Sequence, residues 1–427
     1  MQLYLNKRTI LLLLTLSSLS VTKNVVARAT VNELIPALNQ LSLHRTEMDF
    51  SNYFKRLKND NVGRQSALVN KLSRQVATLS DTAHNYCDKV ALDTFEFDLQ
   101  LADTRLRLVA QLDASSPYYQ GSFSTLHNGD QWYAHWLQSW LHSDVSLQQL
   151  ETIAFSELSD ASARRILLEQ GELGENHIEL DGDDRQAIIA AFKQREKTVY
   201  QHSGRVLGTA FKATDVNITK STLPKSFPAP GIYDDSTQSF IYHLHGDTLP
   251  VKQMDWLFLH EAVPGHHFFR QYARNSVKCP SYKGRQGTTL FTEGWAAYVE
   301  TLGHELGLYT DRTSAEYALD WQELRAVRVL LDIGIHAKGW DDDRARKVWM
   351  KHIPDQQHIM QREIDRIRRW PVQVITYVYG KAMIMQTIAE IQSRSPDTTL
   401  AQIHNDILSL SNFSLRALAH LSNFNPG

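Results

Sequence analysis

Apolar residues recur at spacings of three and four along most of the chain, and this spacing limits the fold more than any other feature. Leu101, Leu108 and Leu112 illustrate it within the segment 82–113. Such a period places apolar side chains on one face of an α-helix. The same period occurs at 31–56, 63–79, 146–170, 184–202, 312–338, 372–392 and 398–410. Because strand patterns are few, we predict a mainly α-helical protein.

Two stretches depart from the helical pattern. Residues 221–230 contain Pro224, Pro228 and Pro230, which are incompatible with a regular helix, so we predict a loop there. The run at 239–245 mixes apolar and aromatic residues and ends before a glycine, which favours a short strand. A strand of this kind can present its edge to an extended peptide.

The amino terminus has the organisation of an export signal. Lys7 and Arg8 precede an apolar run at 9–21, and small residues follow near the end of the segment 1–29. The apolar run is too short to span a bilayer comfortably, so we predict a cleaved signal peptide at 1–29, with an uncleaved anchor as the alternative. We therefore predict an exported protein, periplasmic or secreted, that is not stably inserted in a membrane after cleavage.

Composition limits the classes of partner. Removal of the signal takes away four basic residues and no acidic ones, and the remaining acidic chain has no basic stripe, which argues against nucleic-acid binding. Cys87 and Cys279 are too few for a thiolate metal site, but in an exported protein they can form one disulfide or stay free. From the length we predict a helical region at 30–220 followed by a catalytic region at 221–427. The two regions could also form one continuous domain at 30–427.

The segment 260–267, His-Glu-Ala-Val-Pro-Gly-His-His, has the composition of a metal site. Zinc hydrolases commonly carry two histidines four residues apart on a helix, and the glutamate after the first histidine acts as general base. Here Pro264 stands where the second histidine is expected. The residues before His260 are apolar on nearly every side, so we predict a buried helix in which His260 and Glu261 need polar partners.

The second ligand has two candidates. In a straight helix His266 lies about 120° around the axis from His260, whereas His267 lies about 20° away but about 10 Å further along. Pro264 removes a helical hydrogen bond and Gly265 permits unusual dihedral angles, so the pair can kink or bulge the helix and turn His266 towards His260. We favour His266 as the ligand and keep His267 as the alternative, or as a substrate-facing residue.

A second helix is predicted to provide the third ligand. Within 292–300, Glu293 begins an otherwise apolar helix, and Gly294 and Ala297 are small enough for close helix contact. Glu300 falls on nearly the same face and can orient a ligating histidine. Alternatively, Glu293 could cap a helix, and the histidines of 260–267 could be core residues with satisfied hydrogen bonds. The grouping of three histidines and two carboxylates in this part of the chain favours a metal site.

Other side chains are candidates for contact with the substrate or the transition state. Water attack on a carbonyl requires a donor to the oxyanion, and His336, Tyr377 and Tyr379 are candidates, with Tyr379 also a candidate for substrate binding. Each has a structural alternative, as a core tyrosine or as a histidine bonded to a helix end. Arg325 and Arg328, three residues apart, can hold a substrate carboxylate or form salt bridges.

Five segments resemble, in order, the motifs of the bacterial domain-of-unknown-function family 885. They are HEAVPGHH at 260–267, TEGWAAYVE at 292–300, ELGLY at 305–309, DIGIHAKGW at 332–340 and WPVQVITYVYGK at 370–381. Members of that family look like helical, zincin-type metallopeptidases, and many are exported or lipid-anchored. More distantly, the chain is similar to the gluzincins of the angiotensin-converting-enzyme and oligopeptidase group, in which two helical lobes enclose a deep channel.

The resemblance implies a large helical zincin-like fold, with a deep cleft between two helical lobes and a small β-element before the metal helix. It also implies site roles: Zn²⁺ ligands His260, His266 and Glu293, general base Glu261, and transition-state contacts His336 and Tyr377.

We therefore expect an exported zinc-dependent metallopeptidase that cleaves short peptides. A zinc hydrolase of another amide or ester, such as a cell-wall peptide, would use the same chemistry. A catalytically silent helical binding protein is the alternative from another class. The intact Glu261 argues against that alternative, because metal binding alone does not require an unligated carboxylate beside the metal.

Overall fold

Helices form nearly all of the regular structure, as the apolar period predicts. The computed structural model describes residues 31, 33–41, 49–57, 61–81, 83, 85–112, 118–208, 215–275, 279 and 289–422. The predicted signal peptide lies outside the described residues. Within them, the first eight helices are α1 (33–39), α2 (Phe50–Leu57), α3 (Val62–Ser80), α4 (Tyr86–Ala110), α5 (Gly129–Leu141), α6 (Leu147–Gln170), α7 (Arg185–His202) and α8 (Gly204–Leu207).

The second half of the chain contains the remaining described helices. They are α9 (Met254–Glu261), α10 (His266–Asn275), α11 (Thr289–Val299), α12 (Arg312–His336), α13 (Asp342–His352), α14 (Met360–Arg369), α15 (Ile375–Arg394), α16 (Leu400–Ser409) and α17 (Ala419–Ser422). The described strands are β1 (Glu179–Asp181), β2 (Asn217–Lys220), β3 (Gly231–Asp234), β4 (Ser239–Tyr242) and β5 (Thr248–Pro250). None of the helices in the described ranges is both long and apolar enough to cross a membrane.

The chain divides into two compact units. The first comprises Met1–His44 and Asp60–Gln111, and its described helices are α1, α3 and α4. The buried Arg105 of α4 donates hydrogen bonds to the carbonyl of Leu41 and to the side chain of Gln65. The second unit comprises Arg45–Asn59 and Leu112–Gly427 and contains all the other described elements. The cleft between two lobes stays a prediction.

Most of the predicted helices are confirmed to within a few residues. The exception is the segment 31–56, in which α1 and α2 are separate helices with residues 42–48 outside the described part. Helices α5, α13 and α14 are not among the predicted segments. In α14 the apolar pattern is sparse, since only Ile364 and Ile367 bury apolar side chains. Neither Cys87 nor Cys279 is a free thiol.

The predicted strand and proline-rich loop are also confirmed. Residues 221–230 form an irregular loop inside the second unit, and β4 begins at Ser239 as predicted. The expectation that this strand offers a free edge is wrong. β4 is the central strand of a three-stranded sheet, with β2 parallel on one side and β3 antiparallel on the other. β1 and β5 form a separate antiparallel pair.

Two glycines let α11 and α15 cross at very short range. A Cβ atom added to Gly294 would lie 2.6 Å from the backbone of Gly380, and one added to Gly380 would lie 2.7 Å from the Cα of Gly294. Only glycine at both positions permits this approach, because a methyl group needs more than 3 Å from neighbouring backbone atoms. The crossing places the residues flanking Gly294 beside the first turns of α15.

We expect Gly294→Ala to lower the free energy of unfolding by about 1–3 kcal/mol, the usual cost of overpacking. Gly63→Ala is the matched control, because a Cβ at Gly63 would meet nothing within 4 Å. That change should leave stability unchanged or raise it by up to about 1 kcal/mol through helix propensity. Urea unfolding followed by circular dichroism measures both variants. Equal stabilities for the two would contradict the close crossing.

Candidate metal centre

The helix that carries His260 ends one residue after it. Helix α9 stops at Glu261, Ala262 has φ −106° and ψ −99°, and the Val263–Pro264 peptide bond is cis. A new helix, α10, starts at His266. The sequence predicts a kink or a bulge within one helix, and this expectation is wrong because the helix is interrupted and restarted.

Gly265 packs the interruption back onto the last turn of α9. A Cβ atom at this position would lie 2.0 Å from the carbonyl oxygen of His260 and 2.3 Å from that of Leu259. Trp295 of α11 donates a hydrogen bond from its indole to the carbonyl of Pro264 at 2.8 Å. The reversal therefore depends on glycine and is tied to the helix that carries Glu293. It brings the His266 ring to 4.7 Å from the His260 ring, measured between centroids.

Three potential ligand atoms converge at this place. Oε2 of Glu293 lies 3.6 Å from Nε2 of His260 and 3.4 Å from Nε2 of His266. The three residues form the one group of this kind found in the described part of the chain, with all three ligand atoms within 4.8 Å of one another. His260 and His266 are buried and Glu293 is partly buried. The three elements involved are α9, α10 and α11.

The spacing of these atoms suits a small cation. In a tetrahedral site, bonds of about 2.1 Å separate the ligand atoms by about 3.4 Å. Oε2 of Glu293 has no hydrogen-bond partner among the described residues, although two imidazoles face it. Two histidines and one carboxylate that leave a fourth position free are a donor set typical of catalytic zinc.

Glu300 orients the first histidine. Its Oε1 accepts a hydrogen bond of 2.6 Å from Nδ1 of His260, which directs Nε2 of that ring towards Glu293. Arg325 donates to both oxygens of Glu300, at 2.8 and 2.6 Å, and all these groups are buried. The orienting role predicted for Glu300 matches this geometry. Arg325 is engaged in this ion pair, as in the salt-bridge alternative.

The carboxylates make the site favourable for positive charge. Burial disfavours a charged imidazole, but contacts with Glu293 and Glu300 outweigh it and raise the pKa of His260 to about 9 when no cation is bound. Burial also opposes ionisation of Glu293, but the His266 and His260 imidazoles hold the pKa of that carboxyl well below its usual range. A bound cation would replace the proton on His260, since metal ligands bind in their deprotonated forms.

Glu261 lies beside the ligand group without belonging to it. Its side chain is buried, and its Oε2 has no hydrogen-bond partner among the described residues. A buried carboxylate oxygen without a partner is costly unless a ligand or a substrate uses it. The position of Glu261 therefore suits a proton acceptor next to a bound cation.

Tyr377 approaches the same centre from α15. Its ring lies 6.4 Å from the His260 ring and 4.9 Å from the guanidinium carbon of Arg325. Gln373 donates to the tyrosine hydroxyl at 3.2 Å, and Arg366 donates to the side-chain oxygen of Gln373 at 2.7 Å. Since a hydroxyl group can accept two hydrogen bonds and donate one, the Tyr377 proton stays available to a substrate oxygen. Sequence reasoning missed Gln373, although it lies within the motif at 370–381, and Arg366, which lies outside the five motifs.

Two tryptophans form a stack with the His260 ring. The sequence reasoning missed both. Trp256, one turn before His260, stacks on its ring with centroids 5.5 Å apart, and Trp321 stacks on Trp256 at 4.2 Å. An amphipathic pattern marks such residues only as core. Trp256 belongs to α9, and the contact of Trp321 with it depends on the packing of α12 against α9.

The structure places His336 elsewhere. It is the last residue of α12, eleven residues after Arg325, which is about 16 Å along a helix. Its Nε2 donates to the carbonyl of Ile367 near the end of α14, and its ring packs against those of Tyr119 and Tyr133. The predicted transition-state role does not fit this position. The structural alternative, a histidine bonded to a helix end, describes it.

Three further candidates for substrate contact are also engaged away from the ligand group. Arg328 forms a buried ion pair with Glu363, so the salt-bridge alternative holds for it as well. Tyr379 is buried and its hydroxyl is hydrogen-bonded to the side chain of Ser143. His267 lies against Tyr233 with ring centroids 5.5 Å apart, and burial is the main cause that lowers its pKa to about 4.

Comparison with known proteins assigns a family. A family model described as "Bacterial protein of unknown function (DUF885)" matches residues 20–421. The chain belongs to this family. The resemblance predicted from the motifs is thereby confirmed at the level of the family, DUF885, and no curated protein matches the chain.

Two solved structures share the fold of this DUF885 member. One, from Colwellia psychrerythraea and named "putative lipoprotein", has 20% sequence identity and a TM-score of 0.59 over 87% of this chain and 68% of its own. The other, from Shewanella oneidensis and named "putative lipoprotein of unknown function", has 19% identity and a TM-score of 0.53 over 85% of this chain and 71% of its own. At these identities the likeness establishes a mainly helical fold and no activity.

We expect His266→Ala to lower zinc affinity by more than about 100-fold, because loss of a direct ligand costs more than loss of an orienting partner. His267→Ala is the matched control, since His267 is the adjacent histidine and does not belong to the ligand group. The zinc affinity of His267→Ala should stay within a factor of a few of that of the parent protein. Calorimetric titration with zinc, with metal analysis of the dialysed proteins, distinguishes the two. Loss of zinc from His267→Ala alone would reverse the assignment.

We also expect His336 to make the protein sensitive to acid. Burial lowers its pKa from 6.5 to about 3, so below pH 6.5 the unfolded chain takes up a proton that the folded chain does not. Stability from this group is therefore complete above pH 6.5 and is lost as the pH falls towards 3, at up to about 1.4 kcal/mol per pH unit.

The His336→Phe variant tests this linkage. Its unfolding free energy, measured in urea at several pH values between 6.5 and 4, should fall less steeply with decreasing pH than that of the parent protein. The absolute stability of the variant is not diagnostic, because the bond to Ile367 is also lost. Parallel pH profiles would show that His336 is not the titrating group.

Proposed function

We propose that this DUF885 member is an exported zinc-dependent metallopeptidase that cleaves short peptides. The observation that carries the proposal is the buried carboxylate oxygen of Glu261, which has no hydrogen-bond partner in the described part of the chain, beside the convergent His260, His266 and Glu293. A protein that only stored a metal would have no use for such a group. The basic and apolar pattern at 1–29 supports export, as does the likeness to proteins named as lipoproteins.

His260, His266 and Glu293 would hold the zinc ion. A zinc ion here supplies Lewis acidity, which lowers the pKa of water at the site towards neutrality and polarises a substrate carbonyl. Glu300 and Arg325 keep His260 oriented for this purpose. Three protein ligands would leave the fourth position of a tetrahedral zinc site to water or substrate, as in hydrolytic zinc sites.

Proton transfer falls to Glu261. Its free oxygen takes a proton from the attacking water and later passes that proton to the leaving amine, so that the peptide bond is cleaved without a net change in the enzyme. Tyr377 donates its hydroxyl proton in a hydrogen bond to the carbonyl oxygen as negative charge develops on it. Gln373 holds that hydroxyl in place and is itself held by Arg366.

The variant Glu261→Gln tests the proposal. It should keep zinc and lose cleavage of a short-peptide library by about 100- to 10,000-fold in kcat, the range that general-base catalysis contributes. Glu305→Gln, a change of the same kind at an exposed position, is the control and should keep full activity. Peptide cleavage is measured by mass spectrometry and zinc by elemental analysis.

Two results would contradict the proposal. One is a zinc-loaded parent protein that cleaves no member of the library, and the other is equal activity of Glu261→Gln and Glu305→Gln. In the first case, cleavage of other amides or esters would indicate a hydrolase with a different substrate.

A further inference from the structure

A cavity of about 240 Å³ lies next to the candidate metal centre. It is lined, within the second unit, by helices α6, α11, α12 and α15 and by the short segment after α11. Its apolar lining residues are Leu167, Leu168, Ala297, Ala315, Ala318, Leu319 and Val378. Ala297 and Val378 fall within the motifs at 292–300 and 370–381, and the other five lie outside the motifs, because the cavity is formed by four separate helices.

The cavity shares three residues with the metal centre. Glu300, Arg325 and Tyr377 line the cavity and also surround His260. Oε1 of Glu300 is 2.6 Å from one nitrogen of the His260 ring, and the other nitrogen faces Glu293. Glu300, Arg325 and Tyr377 therefore form the part of the cavity wall that is in contact with His260. Tyr377, which is only half-buried, borders both spaces.

The charges around the cavity are paired with one another. Lys381 is bonded to Glu157, and Arg325 is bonded to Glu300. The remaining cation, Arg164, has a partly exposed side chain and lies 3.7 Å from an acidic residue of its own helix. Because the interior charges are already neutralised, a charged guest would gain no partner there and would lose its hydration. An uncharged apolar group is the guest that the walls suit.

The size of the cavity agrees with this chemistry. A cavity of about 150 Å³ with apolar walls is large enough to bind benzene. A volume of about 240 Å³ accommodates the side chain of phenylalanine, leucine or methionine with space to spare. Such pockets contribute affinity through the apolar area that they remove from water.

We propose that this cavity is the specificity pocket of the enzyme and takes one large apolar side chain of the peptide, next to the bond that is cleaved. The inference rests on the proposed peptidase function and names its substrate class: short peptides with leucine, methionine or phenylalanine beside the scissile bond. Peptides with glycine, alanine or lysine at that position are poor substrates. Glycine and alanine leave the pocket empty.

Filling the pocket tests the inference. Ala318→Phe places a ring at the cavity wall, and Ala163→Phe on α6 is the control, because Ala163 is exposed and does not line the cavity. In a peptide series varied at one position beside the cleaved bond, Ala318→Phe should lower kcat/KM for phenylalanine or leucine by about 10- to 200-fold. It should leave kcat/KM for alanine within a factor of about three, and Ala163→Phe should change neither.

A second variant changes the pocket in the opposite direction. Leu168→Ala enlarges the cavity and should improve cleavage of the tryptophan peptide relative to the leucine peptide. Binding without turnover gives an independent reading. In a Glu261→Gln background, calorimetry should show tighter binding of the phenylalanine peptide than of the alanine peptide, and Ala318→Phe should abolish that difference.

The outcomes separate the two proposals. If the parent protein cleaves peptides through Glu261 but neither pocket variant alters the order of preference or of binding, the pocket inference is overturned and the peptidase function stands. If the parent protein cleaves no peptide, both are overturned. A shift of preference in the two expected directions, with zinc content unchanged, establishes the pocket.

Discussion

The site depends on the buried carboxylate of Glu300. It accepts a hydrogen bond from His260 and forms an ion pair with Arg325. It therefore links α9, α12 and the segment that follows α11. A buried charge of this kind is tolerated only with all its partners in place, because the loss of one leaves the others unpaired in a low-dielectric environment. The orientation of His260 and the position of Arg325 against Tyr377 both follow from this one group. Glu300 and Arg325 also line the adjoining cavity.

Close backbone contacts supply the second constraint. Gly294 and Gly380 bring α11 against α15, which sets Glu293 and Tyr377 near the same centre. Gly265 allows the chain to reverse over the end of α9, which sets His266 there as well. Side-chain chemistry at the site is thus positioned by residues that have no side chain, since backbone atoms can approach this closely only at glycine.

The sequence could predict much of the fold and part of the site for identifiable reasons. Helices such as α4 and α12 bury many apolar residues along their length, while α14 buries only Ile364 and Ile367 among many charged residues and so gives a weaker signal. His260, His266 and Glu293 could be named because metal ligands are few in kind and were grouped in short motifs. His336 was misassigned because a position in a motif carries no information about distance. It lies about three helical turns beyond Arg325 along α12.

Some properties of this protein were determined by the sequence alone. The helical class, the candidate ligand types and the membership in DUF885 follow from local periodicity and from short motifs, which are properties of neighbouring residues. Only the tertiary structure placed His266, rather than His267, together with His260 and Glu293, because that arrangement depends on how the chain reverses after Ala262. It also decided the partners of Arg325 and Arg328 and the existence of the cavity, since these join residues from helices far apart in sequence. Long-range packing is not encoded in any single segment, and for that reason no motif could reveal it.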